Sequence, residues 1–148
     1  MKEFRTLRGF IAGDEPNEPD YFAYSATLRI FGSDLDLDEI SRCMGIQPTH
    51  SHRKGDKYGP RSPGFKHDQW SYSPPIAEER PLEDHINALW EQIRPRRDYI
   101  ISLKKIAKVD VFLGYRSNID HAGVEVPHTC LEMFTSLEIP FGISIVVA

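Results

Sequence analysis

The sequence predicts an α+β protein in which an antiparallel or mixed sheet of about four to five strands carries helices mainly on one face. Three observations lead there. Residues 21–31 and 109–115 alternate apolar and polar side chains with the period of two that a half-buried strand requires. Residues 82–93 set Leu82, Ile86, Leu89, Trp90 and Ile93 on one helical stripe. Helices are interspersed among several such half-buried strands, a pattern that favours antiparallel or mixed pairing under a helix layer.

A chain of 148 residues matches one ordinary domain and can bury a core without metal or disulfides, so stability demands no cofactor and none is expected. With 40% hydrophobic and 27% charged residues the composition is that of a folded, water-soluble protein rather than a disordered one. Residues 13–20 hold two prolines and a glycine among polar neighbours and read as a loop. Residues 1–20 are therefore assigned to an N-terminal arm and loop, and residues 21–148 to a single α+β domain. No apolar run approaches the roughly 20 residues that cross a bilayer, and the first residues lack a continuous apolar signal core. The expected location is the cytoplasm. Cys43 and Cys130 have neither metal-ligand spacing nor the density of a disulfide scaffold, and are expected to be reduced thiols on the apolar sides of helices.

Along the chain, Phe22, Tyr24, Ala26, Leu28 and Ile30 share one face of the first strand, with Ser25, Thr27 and Arg29 on the other. Asp36 caps a short helix from Leu37 to Met44, with Glu39 three residues on and Gly45 as its stop. Pro48, Gly55, Gly59, Pro60, Pro63 and Gly64 then allow only short extended pieces, and Trp70 with Tyr72 marks a further strand. Pro81 opens the clearest helix, and Glu83 and Asp84 favour its first turn. Pro95 interrupts it, and a second helix follows with Tyr99, Ile100, Leu103 and Ile106 facing inward. Val109, Val111, Leu113 and Tyr115 face the core from the next strand. A polar turn through Ser117, Asn118 and Asp120 leads to a helix near residues 127–136 and a final strand over residues 141–148.

Charge is unevenly spread. The net charge is −4, yet residues 50–66 carry five basic side chains and one acidic one. This basic island between acidic stretches can attract an anionic partner. Within it Pro48 and Gly55 bend the backbone, while Arg53, Lys54 and Lys57 supply donors for a carboxylate or phosphate. His50, His52, Arg53, Lys54, Asp56, Lys57 and Trp70 are accordingly the candidate ligand- or partner-binding residues. The competing reading is a structural turn in which Thr49 and Asp56 bond nearby backbone and Arg53 pairs with a carboxylate. His50 and His52, two apart, point the same way on a strand, and His67 with Asp68 can close a three- or four-ligand zinc set. Solvated histidines are the expectation, and no metal ligand is assigned.

The other motifs argue against catalysis. There is no Walker loop, nucleophile elbow, H-E-x-x-H helix or C-x-x-C pair. The acidic neighbours Glu78-Glu79 and Glu83-Asp84 do not converge on one substrate. Phe22, Tyr24, Trp70 and Tyr72 resemble a stacking platform, but alternate positions on strands build cores, and the net acidity disfavours nucleic acid.

The run LRIFGSDLDLDEISRCMGIQPTHSHRKGD, followed by a tryptophan strand and the helix HINALWEQI, resembles the bacterial family catalogued as domain of unknown function 4279. The similarity lies in the order of an apolar strand, a polar turn, a short helix ending in Gly45-Ile46, then Pro48-Thr49 and Arg53-Lys54-Gly55-Asp56. It covers residues 21–147, and His52 stands where an aromatic or small residue is the family pattern. The resemblance implies no reaction, substrate or catalytic residue, and an association with toxin and immunity neighbourhoods. The combined expectation is a non-enzymatic binding or protein-interaction module of immunity type, docking an acidic protein through the basic loop. The alternative is an enzyme or sensor that holds a small carboxylate- or phosphate-bearing ligand.

Overall fold

In a computed structural model, which describes residues 19–148, the chain forms one five-stranded mixed sheet. The N-terminal arm expected before Pro19 lies outside the described residues. The elements in order are β1 (Phe22–Gly32), α1 (Leu37–Met44), β2 (His50–His52), β3 (Asp68–Tyr72), α2 (Leu82–Ile93), a 3-10 turn (Arg94–Arg96), α3 (Arg97–Leu103), β4 (Lys108–Ser117), a 3-10 turn (His128–Leu131), α4 (Glu132–Leu137) and β5 (Phe141–Val147). The sheet order is β2-β3-β1-β4-β5. All neighbours are antiparallel except β4 and β5, which run parallel. A parallel pair needs a long crossover, and residues 118–140, including α4, supply it.

The core forms because the strand and helix periodicities agree. Ala26, Leu28 and Ile30 of β1, Trp70 and Tyr72 of β3, and Val109, Val111 and Leu113 of β4 lie on one face of the sheet. Against them pack Ile40 and Met44 of α1, the stripe Leu82, Ile86, Leu89, Trp90 and Ile93 of α2, Ile100 and Leu103 of α3, and Met133, Phe134 and Leu137 of α4. The opposite face carries no helix among the described residues. Along it the register lines up His50, Ser71, Arg29 and Asp110 in one row across four strands, and His52, Gln69, Phe31 and Lys108 in the next. Arg29 grips Asp110 through two bonds, Nε to Oδ1 at 2.8 Å and Nη2 to Oδ2 at 2.6 Å, and lies over the Phe112 ring. That fork-on-fork pairing satisfies a charge that would otherwise be costly on a half-buried sheet surface.

Local chemistry sets the element ends. Asp36 Oδ1 accepts from the Glu39 amide at α1's start, and Gly45 closes the helix at φ 70°, where a side chain would run into the Arg96 guanidinium. Pro95 turns the chain into a single 3-10 turn between α2 and α3.

Four expectations are corrected. Ile106 is 69% exposed, because α3 ends at Leu103 and the following turn breaks the helical period that would have carried it inward. Ser117 belongs to β4 and is fully buried, its hydroxyl donating to the Tyr21 carbonyl and accepting from the Ile119 amide. The helix expected over residues 127–136 is a 3-10 turn followed by α4. Cys43 is only half-buried while Cys130 is buried; both are free thiols. Cys43 abuts Tyr99, whose hydroxyl is pushed up to about 12, chiefly by burial and next by Cys43.

Candidate functional site

The candidate site grows from the β2 edge. β2 is three residues long and among the described residues pairs only with β3, so its outer side is the rim of the sheet they form. His50 and His52 project from the helix-free face, as their two-residue spacing requires. Their rings meet: His50 Nε2 and His52 Nδ1 are 2.8 Å apart. Phe65, which the sequence pattern does not single out, stacks on His52 with centroids 3.5 Å apart and planes 9° from parallel, and Tyr58 packs on Phe65 with centroids 4.9 Å apart. The imidazole of His52 is held below its ordinary value by burial first and by His50 next.

The loop returns on itself like a small hairpin. The Gly55 amide donates to the Phe65 carbonyl and the Phe65 amide to the Asp56 carbonyl, both at 2.9 Å. Gly64 sits at φ 87° with its Cα so close to Gly55 that an added Cβ would lie 2.7 Å from the Gly55 oxygen. Only glycine allows both the conformation and the approach.

Beneath the loop, Asp68 is the brace. It is buried at the start of β3, its Oδ2 accepting from the Leu35 amide at 2.9 Å and its Oδ1 from the Lys54 amide at 2.8 Å. These backbone bonds, led by the one from Lys54, hold its carboxyl below the usual carboxylate value. Asp68 thus ties the loop to the β1–α1 connection. It is spent on backbone and is not free to serve as a metal ligand, while His67 lies against Phe31. The three- or four-ligand zinc set imagined from His50, His52, His67 and Asp68 is not assembled, and among the described residues no three His, Cys, Asp or Glu side chains converge on an ion position.

The remaining candidates divide sharply. Asp56 Oδ2 accepts from the Arg53 amide at 2.9 Å, and Thr49 bonds the backbone of Ser71 and Ser73, so both are turn-formers as the structural reading required. Arg53 is exposed, yet its Nη1 donates to the Leu35 carbonyl at 3.1 Å, where a carboxylate partner had been expected. Lys54 and Lys57 are exposed and make no ion pair among the described residues. Trp70 is 0% exposed, its indole Nε1 donating to Ser41 Oγ of α1 at 2.9 Å, so its ring belongs to the core rather than to a surface site. The burial follows from parity, since Trp70 stands opposite Ile30 on the helix-covered face whereas the histidines stand opposite Gln69 and Ser71.

Two grooves differ in what they can accept. One, about 510 Å³, runs along the loop tip beside Tyr58, Pro60, Arg61 and Pro63. The other, about 290 Å³, lies between Tyr24, the start of α2 and residues 123–127; it carries Glu83 and Glu125 and no basic side chain. The first carries one basic side chain, Arg61, and the second two acidic ones, so their local fields have opposite sign.

Comparison with known proteins identifies the chain at the level of family. The profile of the domain of unknown function DUF4279 matches residues 22–148. The chain belongs to that family. The matched span starts with β1 and takes in every element described above, the basic loop included. No curated protein and no solved structure is significantly similar to it.

Proposed function

We propose that this DUF4279 chain is a non-enzymatic protein-interaction module that docks an acidic partner on the 50–66 loop at the β2 edge. The observation that carries the reading is the arrangement of that loop's charges. Its turn is held by Asp56, Asp68 and backbone bonds, which leaves Lys54 and Lys57 exposed without an ion pair among the described residues. Arg61 and Lys66 are exposed on the same loop, and beside them stand Tyr58, 63% exposed, and Phe65. Exposed cations grouped beside an aromatic ring give this surface electrostatic complementarity to an acidic partner. The free thiols Cys43 and Cys130 suit a reducing compartment, in keeping with a cytoplasmic module, and no helix among the described residues is long and apolar enough to cross a membrane.

The test substitutes Lys54, Lys57 and Lys66 with Glu and spares Arg53, whose guanidinium supports the Leu35 carbonyl. Partners cross-linked and co-purified with the wild type, identified by mass spectrometry, are expected to be acidic and to be lost from the triple variant. Binding should also weaken steeply as salt is raised from 50 to 500 mM, on the order of ten-fold or more, as screening removes the long-range attraction. A folded triple variant that keeps every partner would overturn the reading.

A further inference from the structure

The His50–His52 pair has a geometry that a docking loop does not need. A borderline divalent ion bound by two imidazoles at about 2.0–2.1 Å holds the two nitrogens roughly 3 Å apart, and His50 Nε2 and His52 Nδ1 already stand 2.8 Å apart. The bite is set by the fold. Strand parity puts both rings on the helix-free face, and Phe65 clamps the His52 plane by stacking.

We propose that His50 and His52 form a two-imidazole chelate for a divalent transition-metal ion, with Cu(II) the preferred occupant. The ion displaces the hydrogen bond between the rings and sits to one side of the N–N line: with both imidazoles neutral, whichever of His50 Nε2 and His52 Nδ1 carries the proton gives it up to its ring's other nitrogen, both nitrogens donate a lone pair to the metal, and no electron is transferred. Imidazole ligands suit copper, nickel and zinc, and the affinity order places Cu(II) at the top. Because no third His, Cys, Asp or Glu among the described residues completes the set, the other positions belong to water. A tetragonal Cu(II) ion accepts that arrangement, whereas structural zinc wants four protein ligands. His50 is exposed at the rim, so the ion has a path to the site from solvent. The site is independent of partner docking, since it uses neither Lys54 nor Lys57.

The experiment titrates the full, tag-free chain with Cu(II), read by calorimetry and electron paramagnetic resonance, beside His50→Gln, His52→Gln and His67→Gln. The wild type is expected to bind one equivalent with the splitting of two nitrogen ligands, and to release it as the pH is lowered and protons compete for the imidazole nitrogens. His50→Gln, at an exposed position, should weaken binding by at least about ten-fold and leave a one-nitrogen spectrum; His67→Gln should match the wild type. Because His52→Gln also removes the stack on Phe65, its thermal melt is recorded with it, and His50→Gln decides. Absence of saturable one-equivalent binding, or a two-nitrogen spectrum that survives in His50→Gln, overturns the proposal.

Discussion

At one edge of the sheet β2 runs for three residues and passes at once into a loop of lysines, arginines and stacked rings; at the other, β5 runs for seven residues, FGISIVV, with neither a charge nor a proline. A short strand flanked by charge is one way proteins blunt an edge that would otherwise pair with another chain. Among the described residues β5 has no such guard. Its register sets Phe141, Ile143 and Ile145 beside Val111, Leu113 and Tyr115, on the core side of the sheet. The helix layer stops short of them: Phe134 of α4 reaches Phe141, 4.7 Å between rings, while Ile145 is 65% exposed. The apolar character of β5 thus continues the core past the rim of its cover, whereas the polar character of the β2 edge is built on a buried brace. Exposure at the two edges has different physical origins, and substitutions should separate them.

The largest effect is expected at the anchor of the β2 side. Trp70→Ala removes the largest fully buried side chain and its bond to Ser41, and should cost about 3–5 kcal/mol in urea unfolding. A loss under about 1 kcal/mol would show that β3 is not tied to α1 in solution. Next comes Asp68→Ala, which leaves the Leu35 and Lys54 amides without their acceptor and should cost about 3 kcal/mol. Because the folded-state value of Asp68 is depressed, its contribution is complete above the unfolded value near 3.9 and is lost as the pH falls through the lower folded value. Wild type should therefore lose stability below about pH 4 more steeply than Asp68→Ala; parallel acid limbs would remove Asp68 as the brace. The smallest effect belongs to the opposite edge. Ile145→Lys should change stability by no more than about 0.5 kcal/mol, and a loss well beyond that, measured in the same urea series, would mean that β5 is covered in solution.

Much of this molecule was legible before folding was considered. The cap at Asp36, the stop at Gly45, the α2 stripe and the alternation of β1 and β4 each follow from chemistry within a few residues, and each stands where the pattern put it. The site was legible in part. His50 and His52 share a face because of their spacing, and Asp56 bonds the turn it bends. Phe65 is not legible as part of the site because its partner lies thirteen positions away across a loop, and Asp68 reads as a possible ligand because nothing local reveals two distant amides aimed at a carboxylate. Trp70 reads as a candidate binding residue along the chain, and strand parity takes its ring into the core.

By itself, then, the sequence determined the elements, their amphipathic faces and the basic island, because periodicity, capping and charge are written in neighbouring residues. Tertiary structure decided which strands became edges, that β5 runs parallel to β4, and which cations of the loop remain free. Those outcomes depend on pairing between segments far apart in the chain: the same apolar run reads as a core strand until the sheet order leaves it at the rim, and the same arginine reads as a ligand until a carbonyl eighteen residues earlier claims it.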